Sequence, residues 1–120
     1  MQSAGTSLFL DLYGCNPEIV DSPEKLQEIF SKDLVEAGFS LVTHLSHYFP
    51  SQGITIIIIL QQSHAVLHSW PENQFISVDI YSCGDEKTVQ IEMENIQSFL
   101  VRDLKVKKVC CKFVIRGIEF

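Results

Sequence analysis

Basic side chains are scarce in this chain of 120 residues: 9 lysines and arginines stand against 15 acids, for a formal charge of −6. Nucleic-acid binders gather a basic surplus on one face, so a polyphosphate partner is not expected and cationic ligands are easier to accommodate. Long apolar runs are missing too. The longest, Ile54 to Leu60, is interrupted by Thr55 and falls far short of the ~18 residues a membrane-spanning helix needs, so no membrane partner is expected. The opening MQSAGTSLFLDLYG has neither the basic start nor the extended apolar stretch of a signal peptide, and a cytoplasmic location is the expectation. Cys15, Cys83, Cys110 and Cys111 form no CxxC pair, and the adjacent Cys110 and Cys111 would point to opposite faces of a strand. Reduced thiols acting as small buried apolar side chains follow. Gly14, Gly38, Gly53, Gly84 and Gly117 are isolated, which leaves no cluster to cradle phosphate. Repeats, low-complexity tracts and linkers are absent, so 1–120 reads as one domain.

What is present is an ordinary folded composition, 46% hydrophobic and 20% charged. A chain this short buries roughly two-thirds of its unfolded surface, so a cleft inside one copy would use up scarce core. A site shared between copies is the less costly arrangement. Leu8, Leu10 and Leu12 alternate with Phe9 and Asp11 in a first strand ending at Gly14. Ser22 as N-cap and Pro23 at the first helical position open a helix whose apolar face, Leu26, Ile29, Phe30, Leu34 and Ala37, stops at Gly38. Strands are predicted at Leu41 to Phe49, Ile54 to Leu60, Ala65 to Ser69 and Phe75 to Ser82. A helix from Glu86 to Asp103 buries Val89, Met93, Ile96 and Leu100, and a last strand runs Val109 to Ile115.

The order β-α-β-β-β-β-α-β predicts an α+β fold: a two-layer sandwich with two helices on one face of a mostly antiparallel sheet. The near-continuous Ile54 to Leu60 run is expected at the sheet centre, covered on both faces. The face without helices would expose an apolar patch, so two copies are expected to pair there as a homodimer, a four-layer sandwich.

Among residues that carry chemistry, His64 and His68 share one face of a strand but lie ~13 Å apart, too far for one metal ion. No metal is expected. His44 and His47 would face opposite ways. The segment QQSHAVLHSWPENQFISVDIYSCG, from Gln61 to Gly84, sets a serine after a buried strand, histidines one and five residues later, WPE, and a cysteine after the next strand. This is a Ser/His/Cys constellation.

The same segment resembles the core motif of the prokaryotic, pyruvoyl-dependent S-adenosylmethionine decarboxylases: Glu-Ser-His, apolar residues, His-Thr-Trp-Pro-Glu, then Thr-Cys-Gly. Tyr13 and Cys15, the His-Tyr-Phe-Pro segment, the Gly-Ile-Thr turn entry and the closing Lys-Lys-Val strand extend the resemblance over most of the chain. It implies a proenzyme that cuts itself between Gln62 and Ser63 into 1–62 and 63–120. Ser63 becomes a pyruvoyl group that forms a Schiff base with the substrate, so neither pyridoxal phosphate nor a metal is required. His68 would assist self-cleavage with support from Thr55, Cys83 would donate a proton during decarboxylation, Glu72 would bind the ribose hydroxyls and Phe49 would stack on adenine. The product would be the aminopropyl donor for spermidine synthesis.

Two departures stand out. Gln62 replaces the usual glutamate and Thr55 the usual serine. The electrophile in self-cleavage is a backbone carbonyl, so cleavage is expected to survive. Relatives with this self-cleaving core also decarboxylate ornithine or arginine, and a non-catalytic, unprocessed binding module is the alternative from another class.

Overall fold

Backbone hydrogen bonding follows the alternation of the sequence closely. In the computed structural model, which describes residues 3–118, the strands are β1 Gly5–Tyr13, β2 Leu41–Tyr48, β3 Ile54–Leu60, β4 Ser63–Trp70, β5 Phe75–Ser82 and β6 Lys108–Arg116. They form one sheet in the order β2-β3-β4-β5-β1-β6, every neighbouring pair antiparallel. Three helices accompany it: α1 Pro17–Val20, α2 Pro23–Ala37 and α3 Glu86–Asp103.

Local chemistry sets the helix ends. The Ser22 hydroxyl accepts the Lys25 N–H at 3.3 Å, Pro23 opens α2, and Gly38 closes it in the left-handed conformation, φ 117°. The Asp85 carboxylate accepts the Thr88 N–H at 3.0 Å and begins α3. The short α1 was not anticipated, although its signal is in the sequence: Asn16 caps it and Pro17 starts it.

The core lies between one sheet face and the helices. Leu8, Leu10 and Leu12 of β1 and Ile76, Val78 and Ile80 of β5 meet Phe30 and Leu34 of α2 and Met93 and Ile96 of α3, all buried. Truncating a fully buried phenylalanine such as Phe30 to alanine costs about 3–5 kcal/mol. The helix-facing residues of β3, Ile54, Ile56, Ile58 and Leu60, join this core.

Two expectations are corrected here. β3 is not the central strand: β4 and β5 are central, and β3 lies second from the edge. It is covered on one face only, leaving Ile57 37% and Ile59 43% exposed. A run of isoleucines marks apolar demand on both faces, and within one chain the second demand is unmet. The cysteines also divide: Cys15 is buried, whereas Cys110 and Cys111 are exposed because β6 is an edge strand. Among the described residues no helix is long and apolar enough to cross a membrane.

Candidate active site

The β3–β4 hairpin turns on two residues, Gln61 and Gln62, so that Leu60 pairs directly with Ser63. β4 is therefore longer than the predicted Ala65 to Ser69, and Ser63 is its first residue. Because Ser63 in turn pairs with Ser82 on β5, Cys83 falls beside the turn. Its backbone N–H donates to the Gln62 carbonyl oxygen at 3.2 Å, and its thiol donates to the same oxygen at 2.9 Å. The Cys83 sulfur is also 3.7 Å from the Gln62 side-chain oxygen. Two donors on one carbonyl oxygen polarise that carbon toward attack and are placed to hold the charge of a tetrahedral intermediate. The next side chain is the Ser63 hydroxyl, 3.3 Å from Nδ1 of His64. Behind the turn, on the helix side, lies a cavity of about 270 Å³ lined by Ser40, Gln61, Gln62, Cys83, Thr88 and Glu92. Burial pushes the Glu92 carboxyl up from its ordinary value.

A second group of predicted residues sits at the other end of the same hairpin. Thr55 pairs with His68 across β3 and β4, and Thr55 Oγ1 lies 2.8 Å from His68 Nδ1, a bond that fixes the ring. His68 is followed on its face by Trp70, 5.9 Å between ring centres, and Trp70 by Phe75 at 5.4 Å and Tyr13 at 5.0 Å from Phe75. Phe49 stands just after β2, 46% exposed, with its N–H bonded to the Gly53 carbonyl at 3.1 Å. Glu72 is exposed in the single 3₁₀ turn Pro71–Asn73. Phe49, His68, Trp70 and Glu72 line one cavity of about 230 Å³.

The predicted site residues thus gather into two groups within one chain. Gln62, Ser63 and Cys83 form one; Phe49, Thr55, His68 and Glu72 form the other. Ser63 and His68 are five steps apart along the strand, ~16 Å at ~3.3 Å per residue, so they do not meet inside a single copy. His64 and His68 share the face that carries no helices, as their spacing predicted, while His44 and His47 point to opposite faces. Among the described residues no group of three or more His, Cys, Asp or Glu side chains is placed to hold a metal ion. Sequence reasoning missed two contacts: the pair of hydrogen bonds that Cys83 donates to the Gln62 carbonyl, and His64 against Ser63. The first was recoverable from the two-residue turn, which fixes the register and brings the residue after β5 to Gln62.

Over its whole length the chain superposes on the crystal structure of the adenosylmethionine decarboxylase from Aquifex aeolicus VF5 with a TM-score of 0.87, 25% identity and 96% of that chain covered. The class is thereby defined as an α+β carboxy-lyase. The sequence model described as S-adenosylmethionine decarboxylase matches residues 6–117. The chain belongs to the S-adenosylmethionine decarboxylase family. Its relatives include the S-adenosylmethionine decarboxylase proenzyme of Moorella thermoacetica, 33% identical over 118 residues, covering 98% of this chain and 91% of that protein. The protein of the same name from Thermosipho melanesiensis is 30% identical over 117 residues, covering 98% and 87%.

Proposed function

We propose that this chain is a proenzyme that cuts itself between Gln62 and Ser63 and then, as 1–62 and 63–120, decarboxylates S-adenosylmethionine in the cytoplasm to give the aminopropyl donor for spermidine. One observation carries the reading: the Gln62 carbonyl oxygen receives both the N–H and the thiol of Cys83, and the residue that follows is a serine. Attack of the Ser63 hydroxyl on that carbonyl exchanges an amide for an ester, with the Cys83 donors holding the oxyanion. Removal of the Ser63 α-proton then eliminates the ester, freeing the Gln62 carboxylate, and hydrolysis of the resulting dehydroalanine releases ammonia. His68, oriented by Thr55, is suited to that proton transfer.

The local chemistry fits a pyruvoyl group at residue 63, since that residue heads a strand in a turn where Cys83 supplies donors from outside the strand. Such a group supplies an electron-accepting carbonyl for decarboxylation. Cys83 is the proton donor to the carbon left behind, its thiol already directed at the turn. Phe49 offers a flat face to adenine and Glu72 a carboxylate to two ribose hydroxyls, both beside one cavity.

The ~16 Å between Ser63 and His68 is bridged by a second copy. Homodimerisation through the face carrying Ile57, Ile59, Phe9 and Tyr13, all more than a third exposed, is the arrangement that would let His68 of one copy approach Ser63 of the other. Offering the purified protein S-adenosylmethionine, ornithine and arginine in turn, with CO₂ release followed, tests the substrate. Release from S-adenosylmethionine alone is expected; release only from the plain amino acids contradicts the reading.

A further inference from the structure

We propose that His64, not His68, takes the proton from the Ser63 hydroxyl in the first step of self-cleavage, so that the two histidines serve two successive proton transfers. This rests on the self-cleavage reading above and assigns a residue to a step within it. Ser63 Oγ is 3.3 Å from His64 Nδ1 within one chain, whereas His68 of the same chain is ~16 Å away, so a histidine at position 68 reaches Ser63 only from a second copy, with its Nδ1 already facing the Thr55 hydroxyl at 2.8 Å. The His64 ring is held from one side: it lies over Tyr81, with ring centres 5.9 Å apart and planes inclined at 36°. Arg116 in turn sits 5.9 Å above the Tyr81 ring, and its guanidinium donates to the Ser7 hydroxyl at 3.2 Å. His64, Tyr81, Asp79 and Arg116 border one cavity of about 540 Å³ on the helix-free face. These are the titratable and charged groups facing His64 from β5 and β6; its partner on β3 is Ile59.

The step balances within the chain. With its proton on Nε2, His64 accepts the Ser63 hydroxyl proton at Nδ1 as Oγ bonds to the Gln62 carbonyl carbon. The oxyanion rests on the Cys83 N–H and thiol. As the Gln62–Ser63 carbon–nitrogen bond breaks, His64 returns the proton to the departing Ser63 nitrogen. Amide has become ester with nothing added or lost. His64 acts in ester formation and inside one chain; His68 acts in the elimination that follows, on the α-proton, and that step parts the chain.

The test follows the intact mass of freshly synthesised chain at neutral pH, with and without hydroxylamine, which cuts the ester and leaves a hydroxamate on residue 62. His64→Asn keeps a hydrogen-bond acceptor near Nδ1 but takes no proton. It is expected to remain uncut with or without hydroxylamine, at least ~100-fold slower than wild type. His64→Ala is expected to be rescued by added imidazole, a response that a purely structural role would not give. His68→Asn is expected to form the ester, cut only when hydroxylamine is present. Melting curves matching wild type establish that the variants fold. A His64→Asn chain that forms ester at the wild-type rate, or a folded His64→Ala that imidazole leaves uncut, overturns the assignment to His64. A wild-type chain that never cuts overturns the self-cleavage reading itself.

Discussion

At the scale of single residues, the buried acid Asp33 on α2 stands apart from the site chemistry. Its side chain is fully buried and neither carboxylate oxygen has a hydrogen-bond partner among the described residues. Lys32 Nζ and the Arg102 guanidinium lie 3.6 and 3.9 Å from it. Burial, then the neighbouring Asp103 carboxyl, push Asp33 up to about 7 against those two cations. Asp103 is held well below the ordinary carboxylate range, chiefly by the Arg102 guanidinium donating at 2.8 Å. Between the ordinary carboxylate value near pH ~4 and about pH 7, the folded chain keeps a proton on Asp33 that the unfolded chain has released. That contribution to stability is complete below pH ~4 and lost as pH rises through about 7; the Asp103 contribution runs the other way and disappears only in acid. Asp33→Asn, measured by thermal melting, should therefore gain on wild type between pH ~5 and pH ~8. An equal difference in melting temperature at both values contradicts this account. Asp33 falls at helical spacing from Phe30 and Ala37 and so within the buried stripe of α2, a position the apolar pattern Leu26, Ile29, Phe30, Leu34 and Ala37 passes over because the residue there is charged. Ser63 and Cys83 were legible because their motif is specific. The His64 contact was not, since alternation along a strand sends adjacent side chains to opposite faces, and only the position of Ser63 at the strand's first residue allows the two to touch.

At the scale of elements, the β3–β4 hairpin organises the site from both ends. Its tight turn presents the Gln62 carbonyl to Cys83, and its open end holds Thr55 against His68. Gly53 enters the hairpin with φ 101°, and a Cβ there would lie 2.6 Å from the Ser69 carbonyl oxygen. The Gly53 carbonyl also accepts the Phe49 N–H. Gly53→Ala is expected to cost ~2 kcal/mol in stability by thermal or denaturant unfolding and to raise KM for S-adenosylmethionine as Phe49 shifts. Unchanged stability would mean that the turn relaxes freely. The order of elements was readable from the sequence because each strand alternates and each long helix carries its own cap. The lateral order was less so: β1 inserts between β5 and β6, and an isoleucine-rich run gave no means of telling a central strand from one whose second face is left bare.

At the scale of the whole molecule, one sheet carries two groups of candidate site residues, and its helix-free face exposes Phe9, Tyr13, Ile57 and Ile59. If each working site takes Ser63 from one copy and His68 from the other, co-expressed Ser63→Ala and His68→Ala chains will complement each other. One functional site then forms per mixed dimer, and the His68→Ala chain is the one that becomes cut. A site complete within each copy would leave both chains whole. The proposed cleavage would add one carboxylate at Gln62 and no amine at residue 63, moving the formal charge from −6 to −7 per pair of fragments. The central claim, that this chain makes its own reactive group, is tested most directly by the intact mass of the purified protein beside Ser63→Ala. Two wild-type fragments are expected, 1–62 and 63–120, the second lighter by one ammonia than a chain beginning with serine, and a single uncut chain for the variant. One uncut wild-type chain, or a second fragment that still carries its amine, would contradict it.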